Sequence, residues 1–335
     1  MKKAVLLLLL CNVYVIAYNQ VIKGTVFDQK TKETIGFASI YFNGTFVGTQ
    51  SDKNGNFTLD ISKNLSKPLT ISFIGYNSVT LSDFSIDKPL LVYMTPKVYE
   101  LKEVAISSKS KVKKRKANLE LFKEVFLGTT DNANKCEIIN EKDITFDYDS
   151  KTDTLKAFAL KPIVINNWAL GYKITYCLDK FEYNERNGAL LYIGNVVFNE
   201  DWITDEKSKE KYEISRKEAY LGSRMHFFRT LWQNSLNSSD YEVTDMNNNN
   251  LSYSDLVTRK ISLHFGSDMS YSFYLKSFIS LNIKYHGIIS KLTFEKNLVY
   301  FDQSGYFDVA GTNWEGNMQI QRVGDMLPYE YEVKH

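Results

Sequence analysis

Apolar and polar residues alternate in short runs over much of the chain, and residues 36–59 set the theme. There Asn43-Gly44 stands between Ile40-Tyr41-Phe42 and Thr45-Phe46-Val47. The pair predicts a tight hairpin, because a type I′ turn needs φ > 0 at both central residues. Asp52-Lys53-Asn54-Gly55-Asn56 predicts a second reversal before Phe57-Thr58-Leu59. Runs at 21–27, 69–74, 77–81, 90–94 and 103–107 predict further strands. About seven short strands, with turn chemistry between them, are the pattern of a β-sandwich. A period of two places Val26, Ile40, Phe42, Phe57, Leu59, Ile71, Phe73, Leu91 and Tyr93 in its core.

Residues 109–116 read KSKVKKRK, six of eight basic. The composition shift predicts a solvated interdomain linker. The sharper reading is a contact to anionic lipid or lipopolysaccharide through Lys109, Lys111, Lys113, Lys114, Arg115 and Lys116. Asn118 then reads as the cap of a short helix, with Leu119, Phe122, Val125 and Phe126 on one stripe and Gly128 at its end.

Strands are predicted again at 136–139, 144–148, 154–160, 163–165, 172–183 and 190–198. The last two form a hairpin across Asn187-Gly188. Residues 215–236 read as one helix, opened by a Ser215/Glu218 capping box and striped by Tyr220, Phe227, Phe228, Leu231 and Trp232. Beyond it, 261–265, 269–275, 279–285, 291–294, 298–301 and 318–323 read as an antiparallel meander. The expected fold is mainly β. A sandwich at 20–107 and a basic linker at 108–117 precede a larger antiparallel β-rich domain at 118–335, with one or two helices.

Several stretches of the first domain resemble the carboxypeptidase-regulatory-like domain. Residues 22–28 (IKGTVFD) and 34–40 (TIGFASI) are similar to its opening. Residues 48–57 (GTQSDKNGNF) are similar to its middle signature, and 69–76 (LTISFIGY) to its next strand. Residues 101–106 (LKEVAI) resemble the closing segment that leads into the plug of TonB-dependent receptors. The resemblance implies a transthyretin-like, seven-stranded sandwich on an exported protein, of a kind common at bacterial surfaces and outer membranes. It implies no catalytic residues: the domain accompanies carboxypeptidases without performing their chemistry. The region after the linker resembles, more loosely, an uncharacterised portion that follows this sandwich in some bacterial proteins.

The first residues read as an export signal of about 1–19. Lys2 and Lys3 precede an apolar run from Ala4 to Ile16, and Val15-Ile16-Ala17 offers a cleavage site. The run falls short of the ~20 residues that a membrane span needs. Leu8-Leu9-Leu10-Cys11 lacks the small residues that precede a lipidated cysteine. No other stretch approaches 18 consecutive apolar residues, so no transmembrane helix is expected afterwards. A formal charge of +2 over 335 residues gives no argument for nucleic acid. Cys136 and Cys177 remain after the signal. Two cysteines do not make a disulfide framework, and their apolar contexts favour buried free thiols over a bridge.

Chemistry is sparse. The histidines are 226, 264, 286 and 335, and none forms H-E-x-x-H. No metal site and no cofactor is expected. Asp52-x-Asn54-Gly55 echoes a calcium loop, but the further ligand positions and closing Glu are missing, which leaves a plain turn. Arg224, His226 and Arg229 place two guanidiniums and an imidazole within two helical turns. They are the candidate ligand-binding residues, suited to a carboxylate or phosphate. The bland reading is a core-packing helix with a solvated basic edge and a satisfied histidine. The sequence favours an exported, non-catalytic envelope protein with a binding or assembly role. The alternatives are an accessory of a TonB-dependent receptor system and a hydrolase with an unrecognised site. An integral barrel is disfavoured, because Asp, Lys and Glu occupy both parities of 172–183.

Overall fold

The computed structural model describes residues 21–61, 68–81, 84, 88–97, 109–200, 206–263 and 269–334. The expected signal and the expected strand at 103–107 lie outside them.

The first domain is a sandwich of two sheets. Its strands are β1 (Val21–Asp28), β2 (Ser39–Phe42), β3 (Gly48–Gln50), β4 (Asn56–Asp60), β5 (Leu69–Ser72), β6 (Val79–Leu81) and β7 (Leu90–Met94). One sheet has the order β4-β1-β7, the other β3-β2-β5-β6. Ile22, Val26, Ile40, Phe42, Phe57, Leu59 and Ile71 are buried between them. β7 corrects the expected core. Leu91 and Tyr93 are exposed, and Val92 and Met94 point inward. β7 runs parallel to β1 with Val92 opposite Val26, and that register fixes which parity meets the core. Tyr93 lies outside, stacked on Phe27 at 5.4 Å beneath the Lys32 ammonium.

The Asn43-Gly44 reversal is wider than a two-residue hairpin. Tyr41 pairs with Gly48 and the Phe42 N–H donates to Val47 O, which leaves residues 43–46 as the connection. Gly44 has φ +76° and Asn43 lies outside the left-handed region, so the turn is not type I′. The reason lies outside the sandwich: this loop docks on the second region. At the second reversal Asp52 Oδ1 accepts the backbone N–H groups of Asn54 and Asn56, the self-satisfied turn expected there.

α1 (Lys109–Leu127) absorbs the basic run that reads as a linker. Lys, Arg and Ala are good helix formers, so helix propagates upstream of Asn118. Arg115 helps hold it, donating to Glu141 O at 2.9 Å and Ile144 O at 2.8 Å with its guanidinium over Phe146. Phe122, Val125 and Phe126 are buried, and Gly128 ends the helix at φ +104°.

α1 covers one face of a six-stranded antiparallel sheet. Its strands are β8 (Cys136–Ile138), β9 (Ile144–Asp149), β10 (Thr154–Ala159), β11 (Ile163–Asn167), β12 (Tyr172–Asn184) and β13 (Leu190–Asn199). β12, 13 residues long, pairs with β11 and β10 along one side and with β13 along the other. Phe126, Tyr176 and Phe181 share the core beneath the helix.

The predicted helix at 215–236 is two helices. α2 (Glu206–Tyr220) and α3 (Arg224–Trp232) are separated at Gly222, φ +73°. Ser215 lies inside α2, so it opens no helix. Ser223 caps α3 instead, its Oγ accepting the His226 N–H at 3.1 Å.

The last portion has its own core around Phe228, Phe301 and Trp314. After β14 (Tyr241–Asp245) and the short α4 (Tyr253–Leu256) come β15 (Val257–Leu263), β16 (Met269–Lys276), β17 (Leu281–Tyr285), β18 (Ile288–Phe294), β19 (Leu298–Phe301) and β20 (Thr312–Gly316). They form two interleaved antiparallel sheets, β14-β17-β18-β20 and β15-β16-β19, in place of one meander. The expected strand at 318–323 is instead the short α5 (Asn317–Ile320) followed by irregular chain.

Candidate functional site

The structure places Arg224, His226 and Arg229 together on α3, where both guanidiniums hold backbone carbonyls and the His226 Nδ1 is hydrogen-bonded. Arg224 Nη2 donates to Gln321 O at 2.9 Å. Arg229 is 9% exposed and donates to three carbonyls, from Nε to Ser304 O (2.9 Å), Nη1 to Tyr331 O (2.7 Å) and Nη2 to Tyr329 O (3.0 Å). The expected basic edge is therefore a clamp. It holds the C-terminal strap, residues 321–334, against the second and third cores.

His226 is a satisfied histidine. Its Nδ1 accepts the Gly222 N–H at 3.1 Å, which assigns the proton to Nε2, and the Tyr241 hydroxyl lies 3.2 Å from the same nitrogen. Tyr220, Tyr241 and Tyr285 surround the ring at centroid distances of 4.8, 5.1 and 5.4 Å. Burial first, and the Arg229 charge second, push its pKa down from 6.5 to about 4. The imidazole is therefore neutral at physiological pH, which removes the cation that an anion site would use. Beside it a shallow, mainly apolar dent of about 140 Å³ is lined by Gly222, Ile283, Tyr285, His286 and Met318. That is well below the ~300 Å³ of an ordinary ligand pocket.

The strap binds elsewhere along its length. Arg322 Nη1 donates to Val125 O, and Asn167 Nδ2 to Gly324 O at 2.8 Å. The Asp325 carboxylate accepts from Thr130 Oγ1 (2.8 Å) and Asn132 Nδ2 (2.9 Å), and its burial raises its pKa.

The joint between the sandwich and the rest was not visible in the sequence. Asn43 Oδ1 accepts the Val196 N–H at 2.7 Å, Gly44 N–H donates to Val196 O at 2.8 Å, and Tyr329 N–H donates to Gly44 O at 2.8 Å. Thr45 forms a parallel bridge with Val197. Further along, Lys97 pairs with Asp179 at 3.3 Å, and Asp179 also accepts from Ser78 Oγ at 3.2 Å. Thr70 Oγ1 donates to Asn195 Oδ1 at 3.3 Å, and Cys177 Sγ lies 3.5 Å from Ser72 Oγ. The signal was present at Asn43-Gly44, but its hairpin reading hid the docking role.

Cys136 and Cys177 are both free thiols. Among the described residues, no three His, Cys, Asp or Glu side chains gather as a metal site, and no helix is long and apolar enough to cross a membrane. Of the basic run, Lys113, Lys114, Arg115 and Lys116 are all exposed, and Arg115 alone of these four is bonded to backbone, at Glu141 O and Ile144 O.

Two sheets packed over a shared core, with β1 and β7 parallel, make the first domain a β-sandwich. In agreement, residues 22–106 match the family model of the CarboxypepD_reg-like domain, and the rest of the chain matches no family. No curated protein matches the chain.

Proposed function

We propose that this is an exported, non-catalytic component of the bacterial envelope, with a binding or assembly role in which the CarboxypepD_reg-like domain takes part. The observation that carries the reading is that domain at residues 22–106, following directly on a leader-like segment with Lys2, Lys3 and an apolar run. The engagement of Arg224, His226 and Arg229 in holding backbone supports a scaffold over a hydrolase. The exposed Lys113, Lys114 and Lys116 add a contact to an anionic envelope surface, strengthened by Lys109 and Lys111 of the same basic run.

Fractionation of the host, with sequencing of the protein's N-terminus, tests the proposal. The expected result is a chain trimmed near residue 19, recovered with the envelope and released by salt or carbonate. Recovery from the cytoplasm with residues 1–19 intact would overturn it. Retention by anionic vesicles should fall when Lys113, Lys114 and Lys116 are all changed to Glu. Unchanged retention would reject the surface contact alone.

A further inference from the structure

Among the described strands, β13 pairs with β12 alone. On its other side the sandwich loop covers the C-terminal half. Val196 binds Asn43 and Gly44 through both its N–H and its C=O, and the Phe198 N–H donates to Thr45 O at 3.3 Å. Those bonds show which peptide groups turn outward. Peptide groups alternate sides along a strand, so Leu190, Tyr192 and Gly194 turn outward as well. Among the described residues, no backbone bond reaches these three from that side.

Little blunts this edge. Residues 190–198 read LLYIGNVVF, with no charge and no proline, although sheet edges are ordinarily protected by Lys, Pro or a bulge. The register shift in the β12–β13 pairing falls between Leu178 and Lys180, so the extra residue is on β12. Leu191 and Ile193 are 43% and 51% exposed on the sheet face that, further along, meets the sandwich.

We propose that residues 190–194 pair antiparallel with the same segment of a second copy of this chain, about a two-fold axis at Tyr192. The length of the open edge selects this occupant. It is bounded by the turn at Gly188 (φ +70°) and by the loop docked at Val196. A longer foreign strand would run into that loop. In the two-fold arrangement Leu190 faces the second copy's Gly194, and each docked loop, at Val196, comes level with the other copy's Gly188, where that chain turns away toward its own β12. Leu191 of each copy stands opposite Ile193 of the other, so four exposed apolar side chains cover one another. The contact is continuous with the seam that the chain already forms between Thr45 and Val197. An interface this small falls in the class below about 1,200 Å² and is reversible.

Sedimentation equilibrium of the full chain, purified in the form its host produces, tests the pairing. The expected result is a monomer–dimer equilibrium that shifts with concentration. Ile193→Lys should raise the dimer dissociation constant about tenfold or more, with an unchanged circular dichroism spectrum, because the side chain is exposed. A Leu191→Cys/Ile193→Cys variant should form a covalent dimer on mild oxidation. Within one chain these positions stand about 7 Å apart along the strand, too far for a bridge. A monomer at all concentrations would overturn the proposal. So would a dimer indifferent to Ile193→Lys, or a monomer that captures extended peptides at this edge.

Discussion

Tyr329 and Gly44 tie the C-terminal strap to the β2–β3 loop of the sandwich. The Tyr329 N–H donates to the Gly44 carbonyl at 2.8 Å, and a Cβ on Gly44 would collide with the Tyr329 ring. Gly44 also has φ +76°. Gly44→Ala therefore combines a left-handed backbone with overpacking and should destabilise the chain by about 2–4 kcal/mol. Thermal unfolding measures the loss, and limited proteolysis should show the sandwich released from the rest.

Arg229 organises the strap by donating to three carbonyls from a buried position. Arg229→Ala leaves those carbonyls without their cation and should cost about 3 kcal/mol or more in urea unfolding. Arg224 makes one partly buried bond, so Arg224→Ala should cost about 1–2 kcal/mol. Equal losses in the two variants would refute the clamp.

His226 predicts a specific acid sensitivity. Its folded pKa of about 4 lies below the ordinary 6.5, so the unfolded chain binds the proton more readily. Stability from this group is complete above pH 6.5 and declines as the pH falls toward 4. In His226→Asn the side-chain oxygen can replace Nδ1 as acceptor without titrating. Over that window wild type should lose more stability than the variant in parallel denaturant titrations. Identical pH profiles would contradict the assignment.

Cys136 and Cys177 should behave as unreactive thiols. Burial pushes the Cys136 pKa up to about 12 and raises that of Cys177. Both should resist iodoacetamide in the folded chain at pH 8 and react on unfolding, because the thiolate is the nucleophile. Rapid labelling before unfolding, read by mass spectrometry, would show that the burial is wrong.

The sequence alone determined what depends on neighbouring residues. Alternation located most of the strands, Leu298–Phe301 to the residue, though it missed Thr312–Gly316, and the turn at Asp52 followed from side-chain-to-backbone bonds within its own loop. The sandwich was legible for the same reason, since period and turn chemistry are local. Tertiary structure decided the rest. The pairing of β7 with β1, and not its alternation, selected Val92 and Met94 over Leu91 and Tyr93. The dock at Val196 opened a predicted tight hairpin, because its bonds to distant backbone outweigh the local turn preference. Arg224, His226 and Arg229 were found as a cluster from spacing, but their partners at 304, 321, 329 and 331 lie far along the chain. A guanidinium reads the same in sequence whether it awaits an anion or holds a carbonyl. Only the folded path of the strap distinguishes the two.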